Sequence, residues 1–499
     1  MAKFYLTTAI PYVNGKPHIG HTLEYFQADT VRRYQQLLGK KTLMLSGADE
    51  NALKNVQAAE KEDMPIQEFL DKSSEVWKKA YADLDIPLDV FQRGSDQKKH
   101  WPGVQKLWEL CVKNGDIYKK AYTGLYCVGC ESFKTEKELV NGLCPEHQKA
   151  PEKIIEENYF FKLSAYQDKL LELIESYTLK IIPENKRQET ISFIKQGLED
   201  FSVSRSKERA RGVGVPIPND LDQVMYVWFD ALNIYMTGIG FGWDDKTWKK
   251  WWPADLHVIG KDINRFHTIY WPAMLMSAGL PLPKAVLIHG FVYTKGEKMS
   301  KSVGNVIDPF EVAKTYGVES IRYYMLSQIP IDNDGDFTEE RFKEVYNADL
   351  ANGIGNLIAR VAALCEQSAY EFEPTEITID KNHPVFKELA KYNFTEALKI
   401  IWQGNIHYLE SDIKEDKEFM EDADFWESIS IKNLDKNINE KKPWTLEGKE
   451  KKDTLQYYID SIRKIAFLLQ PFLPDTSKKI LEQFKGSKIV SSKPLFPRI

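Results

Sequence analysis

Pro17-His18-Ile19-Gly20-His21 stands where a strand-like run, Lys3 to Ala9, gives way to a helix-like one, Gly20 to Leu38. In the second run Leu23, Phe26, Val31, Tyr34 and Leu38 recur at roughly helical spacing. A helix that opens here presents unpaired backbone N–H groups and the positive end of its dipole, a setting that favours a phosphate. The imidazoles of His18 and His21 add donors on the same side of that first turn, and Gly20 leaves room for a ligand against the backbone.

The same alternation continues outward. Thr42 to Leu45 is a second apolar run, Ile66 to Ala82 reads as helix, Val90-Phe91 as strand, and Gln97 to Lys113 as helix. Such an order implies a parallel sheet with helices on its faces. Asp116 to Val224 breaks the rhythm with aromatic strands, a cysteine cluster and a polar helical stretch. It resumes with Leu256 to Ile259 as strand, Ile263 to Ala278 as helix and Val286 to His289 as strand. From about Glu339 the pattern is purely helical, as in Leu350 to Glu366 and Leu455 to Leu469. The expected fold is therefore α/β, a Rossmann-like parallel sheet split by an insertion and followed by an all-helical domain. The expected boundaries are 1–115, 116–224, 225–338 and 339–499.

A chain of 499 residues exceeds what one core normally serves, which agrees with several domains. Its 43% hydrophobic and 28% charged residues are those of an ordinary globular protein without a membrane span. The N-terminus runs straight into strand-like sequence, so no signal peptide is expected. The net charge of −6 excludes a protein that coats nucleic acid indiscriminately but leaves room for a local basic face.

Cys127-x2-Cys130 and Cys144-x2-His147 form two close ligand pairs in one short stretch, which suits a closed tetrahedral Zn²⁺ site. With Cys111 and Cys365 isolated, this usage points to a reducing, cytoplasmic setting rather than a disulfide framework. Lys298-Met299-Ser300-Lys301-Ser302 follows a predicted strand and is flanked by Gly296 and Gly304. Alone, such a loop reads as a solvated turn. Paired with the early histidines, its ammonium groups suit the charge that spreads over a departing pyrophosphate.

The two motifs, one in each half of a split sheet, resemble the HIGH and KMSKS motifs of class I aminoacyl-tRNA synthetases. Over essentially its full length the chain resembles the methionyl-tRNA synthetases. The match is carried by Ala9-Ile10-Pro11-Tyr12-Val13-Asn14-Gly15, by Tyr226 to Tyr235, and by Gly260 to Ile263 with Phe266-His267 and Trp271-Pro272-Ala273. The resemblance implies ligation of L-methionine, activated by ATP with Mg²⁺, to methionine tRNA. It implies a methionine site of Ile10, Tyr12, Asp49, Trp228, Ala231, Leu232, Tyr235, Ile263 and His267, with Asp49 on the ammonium group. It also implies an ATP site of His18, Gly20, His21, Gly260, Asp262, Lys298, Ser300 and Lys301, of which His18, His21, Lys298 and Lys301 would be catalytic. Aromatic and polarizable surroundings agree with a thioether ligand.

Asn356 and Arg360, one helical turn apart, and Trp444 match the family's anticodon-reading positions. Seven lysines against four acidic residues from Lys432 to Lys452 suit a single-stranded RNA loop read by stacking. The insertion, about 110 residues long, is already occupied by the zinc knuckle, which leaves no room for a large editing domain. The chain ends soon after the helical region, so a monomer is expected. The main departure is Asp49-Glu50-Asn51-Ala52, where the family usually reads Asp-Glu-His-Gly.

Overall fold

The computed structural model describes residues 2–130, 132–134, 136–298, 307–373, 376–377, 382–404 and 429–499. They form two compact units, the first from 1–17 and 39–289, the second from 18–38 and 290–499. The helix that follows the first strand therefore belongs to the unit built by the C-terminal half.

The first unit is organised by six strands: β1 (Lys3–Thr8), β2 (Lys41–Ala48), β3 (Val90–Arg93), β4 (Lys180–Ile182), β5 (Leu256–Gly260) and β6 (Ala285–His289). Their order is β3-β2-β1-β5-β6-β4, and every pairing is parallel. Strands β5 and β6 are buried at every residue, as parallel strands covered on both faces must be. The chain leaves β1 toward β2 on one side, while β5 lies on the other. This is a switch point, where the loops beyond the carboxyl ends of the strands part to make a crevice. Ala9 to Tyr12 leave β1 there and Lys261 to Ile263 leave β5.

Strand β4 lies inside the stretch that interrupts the alternation, yet it joins the sheet edge with Lys180 to Ile182 opposite Ala285 to Leu287. The rest of that stretch carries a long antiparallel ladder, Ile117–Cys127 against Glu152–Phe161, and a small sheet of Ser204–Ser206, Pro216–Ile217 and Asp220–Met225. The helix expected over Ile263 to Ala278 is three pieces: a 3-10 turn at Lys261–Ile263, a π turn at Phe266–Tyr270 and an α-helix at Trp271–Ser277. Pro272 has no N–H to return to the carbonyl four residues back, which accounts for the widened turn before it.

The second unit opens with α1 (Ile19–Leu37). Arg322, 2% exposed, ties this helix to the last part of the chain. Its guanidinium donates to Asp29 at 2.6 Å, to Thr30 at 3.1 Å, and to the Phe472 and Pro471 carbonyls at 2.6 and 2.9 Å. A buried charge is tolerable only when paired and hydrogen-bonded, and here every nitrogen is used. From Glu339 onward the described elements are helical, including a π segment at Tyr346–Gly355 that runs into Asn356–Ser368. No helix among the described residues is long and apolar enough to cross a membrane.

Candidate functional site

In the first unit an aromatic wall, partly buried, stands beside the switch point. Trp228, on the short helix Val227–Ala231, lies face to face with Phe266, with ring centres 3.8 Å apart and planes 5° apart. Tyr12 meets Trp228 edge-on at 6.2 Å, and His267 meets it edge-on at 6.4 Å. The π turn brings Phe266 and His267 to the same wall. His267 Nδ1 donates to the Ile263 carbonyl at 3.0 Å, which leaves Nε2 to accept from the Tyr235 hydroxyl at 2.7 Å. Burial pushes His267 down to about 4, so the ring is neutral near pH 7. Tyr235 is held in turn by Tyr5, whose hydroxyl donates to its carbonyl at 2.5 Å. Ala231 and Leu232 are buried, and Ile10 and Ile263 pack partly buried on the same core. Asp49 is buried and pairs with Tyr12 in an isolated parallel bridge beyond β2. Trp271 stands apart, fully buried and edge-on to Trp252 at 6.2 Å.

Gly260 ends β5 beside His289 of β6. A Cβ on Gly260 would come 2.8 Å from Asp262 Oδ1, so the carboxylate lies over bare backbone. Asp230 lies on the same short helix as Trp228, Val227–Ala231. It is 1% exposed, its Oδ1 is 2.5 Å from His100 Nε2, and its Oδ2 accepts from the Asn51 amide at 2.6 Å.

In the second unit His18 and His21 cap α1 reciprocally. Gly20 N–H donates to His18 Nδ1 and His18 N–H to His21 Nδ1, both at 3.1 Å. With Nδ1 used as acceptor on both rings, the neutral tautomer carries its proton on Nε2. The Lys298 backbone is in a short strand paired to Val292–Thr294. Its side chain, and all of Ser300 and Lys301, lie outside the described residues.

The four ligand atoms of Cys127, Cys130, Cys144 and His147 lie within 4.8 Å of one another. His147 Nδ1 is 3.9, 3.3 and 3.8 Å from the sulfurs of Cys127, Cys130 and Cys144, and the Cys130 and Cys144 sulfurs are 3.4 Å apart. A tetrahedral zinc ion needs edges of about 3.8 Å between sulfurs and about 3.6 Å between sulfur and nitrogen, so the donor set fits. A Cβ at Gly129 would overlap the His147 ring, which is why the first knuckle carries glycine there. Lys54 joins this knuckle to the aromatic wall, donating to the Gly129 carbonyl at 3.4 Å while its ammonium sits 3.3 Å from the Tyr12 ring centre.

The family model described as tRNA synthetases class I (M) matches residues 4–154 and 147–362. The methionine–tRNA ligase of Thermotoga maritima is 37% identical, covering 100% of this chain and 80% of its own. That of Brucella suis is 37% identical over 99% of this chain and 98% of its own. The Mycobacterium tuberculosis methionyl-tRNA synthetase in complex with methionyl-adenylate superposes with a TM-score of 0.87 at 34% identity, covering both chains fully. The chain belongs to the methionyl-tRNA synthetases.

In this methionyl-tRNA synthetase the three residues matched to anticodon reading lie in the helical part of the second unit. Asn356 is exposed at the start of Asn356–Ser368, and Arg360 follows one turn later. Arg360 donates to Asp435 at 2.8 Å and to Asn439 at 2.6 Å, with its guanidinium 5.8 Å from the Trp444 ring centre. Trp444 is 51% exposed, an unusual position for so large an apolar ring.

The pairing of Asp230 with His100 was not legible in the sequence: a lone histidine 130 residues away gives no spacing signal. The Lys54 bridge was equally silent. The Asn51 departure now has a place, since the amide also donates to the Gly94 carbonyl at 3.0 Å beyond β3.

Proposed function

We propose that this chain activates L-methionine with ATP and transfers it to the 3′-terminal ribose of methionine tRNA, initiator and elongator alike. The observation that carries the reading is the wall of buried Trp228 with half-buried Tyr12 and Phe266, beside a neutral His267–Tyr235 pair. A thioether side chain is apolar and polarizable and suits aromatic faces. A single neutral hydrogen-bonded pair offers polarity without demanding a charge in return.

In this reading Ile10, Trp228, Ala231, Leu232, Tyr235, Ile263 and His267 enclose the side chain, and the buried Asp49 carboxylate takes the ammonium group. Asp262 over Gly260 serves the adenosine. The phosphates, entering as a Mg²⁺ complex, fall to the Nε2–H donors of His18 and His21, to Gly20, and to Lys298, Ser300 and Lys301. The methionine carboxylate attacks the α-phosphorus and the bond to the β-phosphate breaks, releasing pyrophosphate. The terminal ribose hydroxyl of the tRNA then attacks the acyl carbon of the mixed anhydride, and AMP leaves. No side-chain nucleophile takes part; alignment and charge stabilisation supply the rate.

Zinc in the knuckle serves structure, since four protein ligands leave no open position. We assign activation to 1–115 and 225–338, the knuckle to 116–224, and anticodon reading by Asn356, Arg360 and Trp444 to 339–499. We also propose a cytoplasmic monomer; light scattering near twice the 57.7 kDa chain mass would overturn the latter.

Pyrophosphate exchange into ATP, run with each of the twenty amino acids, tests the activity. Methionine is expected to give the highest kcat/KM. Exchange dependent on another amino acid, or on none, overturns the assignment.

A further inference from the structure

Asn51, Gly94 with His100, and Asp230 with Thr237 come from three stretches of the first unit and meet in one cluster. His100 Nδ1 lies 2.7 Å from the Thr237 hydroxyl and its Nε2 2.5 Å from Asp230 Oδ1. The Asn51 amide divides its two hydrogens between Asp230 Oδ2 at 2.6 Å and the Gly94 carbonyl at 3.0 Å. His100, Thr237 and Asp230 are all but completely buried, and a carboxylate in that setting is stable only when its oxygens accept hydrogen bonds. Its two oxygens are held by His100 on one side and Asn51 on the other.

The position of these groups gives the cluster its meaning. Asp230 sits on Val227–Ala231, two residues from Trp228 and next to Ala231, both of which belong to the aromatic wall. Asn51 sits two residues beyond Asp49 at the end of β2. One amide thus joins the segment that carries the buried carboxylate Asp49 to the helix that carries Trp228. Glu50, between them, is fixed separately, accepting from Arg93 at 2.8 Å, Ser95 N–H at 3.0 Å and Ser74 at 2.5 Å.

We propose that Asn51 is a positioning residue for methionine, setting the distance between the group that takes the ammonium and the wall that takes the thioether. The inference rests on the methionine reading given above. Misplacement by about 1 Å is enough to cost a well-aligned site heavily, and an amide that holds two strand ends and a helix is placed to prevent it.

The test uses the full-length enzyme and three variants: Asn51→Asp, Asp230→Asn, and the swap of both. Asn51→Asp sets two carboxylates where the structure has a carboxylate and an amide. Methionine KM is expected to rise by about tenfold or more, with ATP KM moving less than about twofold, since only one substrate's contacts are displaced. The titratable groups facing position 51 are Asp230 and His100, with Glu50 and Arg93 beside it paired to each other. The swap restores one carboxylate and one amide and should recover part of the methionine KM.

A rise in both KM values together, or a swap worse than either single change, would overturn the positioning role. Thermal melts of each variant separate loss of fold from loss of alignment. Wild-type enzyme without methionine-dependent exchange would instead refute the activity, and the two failures are thereby distinct.

Discussion

The Ile19 amide donates to the Ile307 carbonyl at 3.1 Å. The first residue of α1 and the chain just beyond the Lys298 to Ser302 motif are thus held together within the second unit, although 288 positions separate them in sequence (307 − 19). The imidazole pair at the mouth of α1 is anchored to the segment that follows Lys298 to Ser302 in sequence, as the proposed joint role at the phosphates requires.

His18 caps α1 in the structure and is proposed to act at the phosphates, two jobs that can be separated. His18→Asn keeps a good cap and removes the imidazole, so stability should hold to within about 0.5 kcal/mol, whereas His18→Ala should cost about 1 kcal/mol. Exchange should fall about a hundredfold or more in both. Exchange that survives in His18→Asn but falls in His18→Ala would make the residue a cap alone.

Metal content can be counted directly. Protein purified without chelator should hold about one zinc per chain, and Cys144→Ala should lose it. The melting transition of the metal-free protein should come at lower temperature than that of the loaded protein. Protein free of metal with an unchanged melt would refute the site.

His267 makes stability depend on pH with a defined sign. Burial holds it at about 4 against an ordinary 6.5, so the unfolded chain takes up a proton that the folded one refuses. Stability complete above pH 6.5 is therefore lost as pH falls toward 4, by about 2 kcal/mol at pH 5. His257, also pushed down by burial and by its neighbour His267, adds to the slope with the same sign. His267→Gln should show a smaller drop in melting temperature between pH 7.5 and pH 5 than the parent. An equal drop in both would mean that the ring titrates normally.

Much of this was legible from residue order alone, and the reason differs from place to place. The knuckle was fully legible because local spacing sets its geometry, and the four ligand atoms fall where zinc needs them. Strands β1, β2, β5 and β6 announced themselves as apolar runs between helices, as buried parallel strands do. Strand β4 did not, being three residues set among polar ones, with partners about a hundred positions away. Trp228 and Trp271 looked alike in sequence. Only packing distinguishes the one stacked on Phe266 at the wall from the one buried against Trp252.

Trp444 is half in solvent, so truncating it removes little packing. Trp444→Ala should leave the melt and methionine exchange almost unchanged while lowering tRNA charging about tenfold to a hundredfold, the worth of a lost base stack. Parallel loss of exchange would make the ring structural.

Removing one partner of the Arg322–Asp29 pair should cost more than removing both. Arg322→Met takes one of two cations from the buried Asp29 carboxylate, leaving Arg33 at 2.7 Å, and should lower stability by about 3 kcal/mol, the low end for a broken buried pair, with part recovered in Arg322→Met with Asp29→Leu. A double variant no more stable than the single one would contradict this.

The same ion pair spans 293 residues of chain, with consequences during synthesis. A ribosome adding about 5–20 residues per second leaves Asp29 waiting roughly 15–60 s for Arg322 to emerge, and longer for Phe472. Throughout that interval Leu23, Phe26 and Val31, buried in the finished protein, have no partner helices to cover them. A nascent chain stalled before Arg322 thus carries a sticky, uncovered helix near its beginning, an expected target for chaperones and proteases.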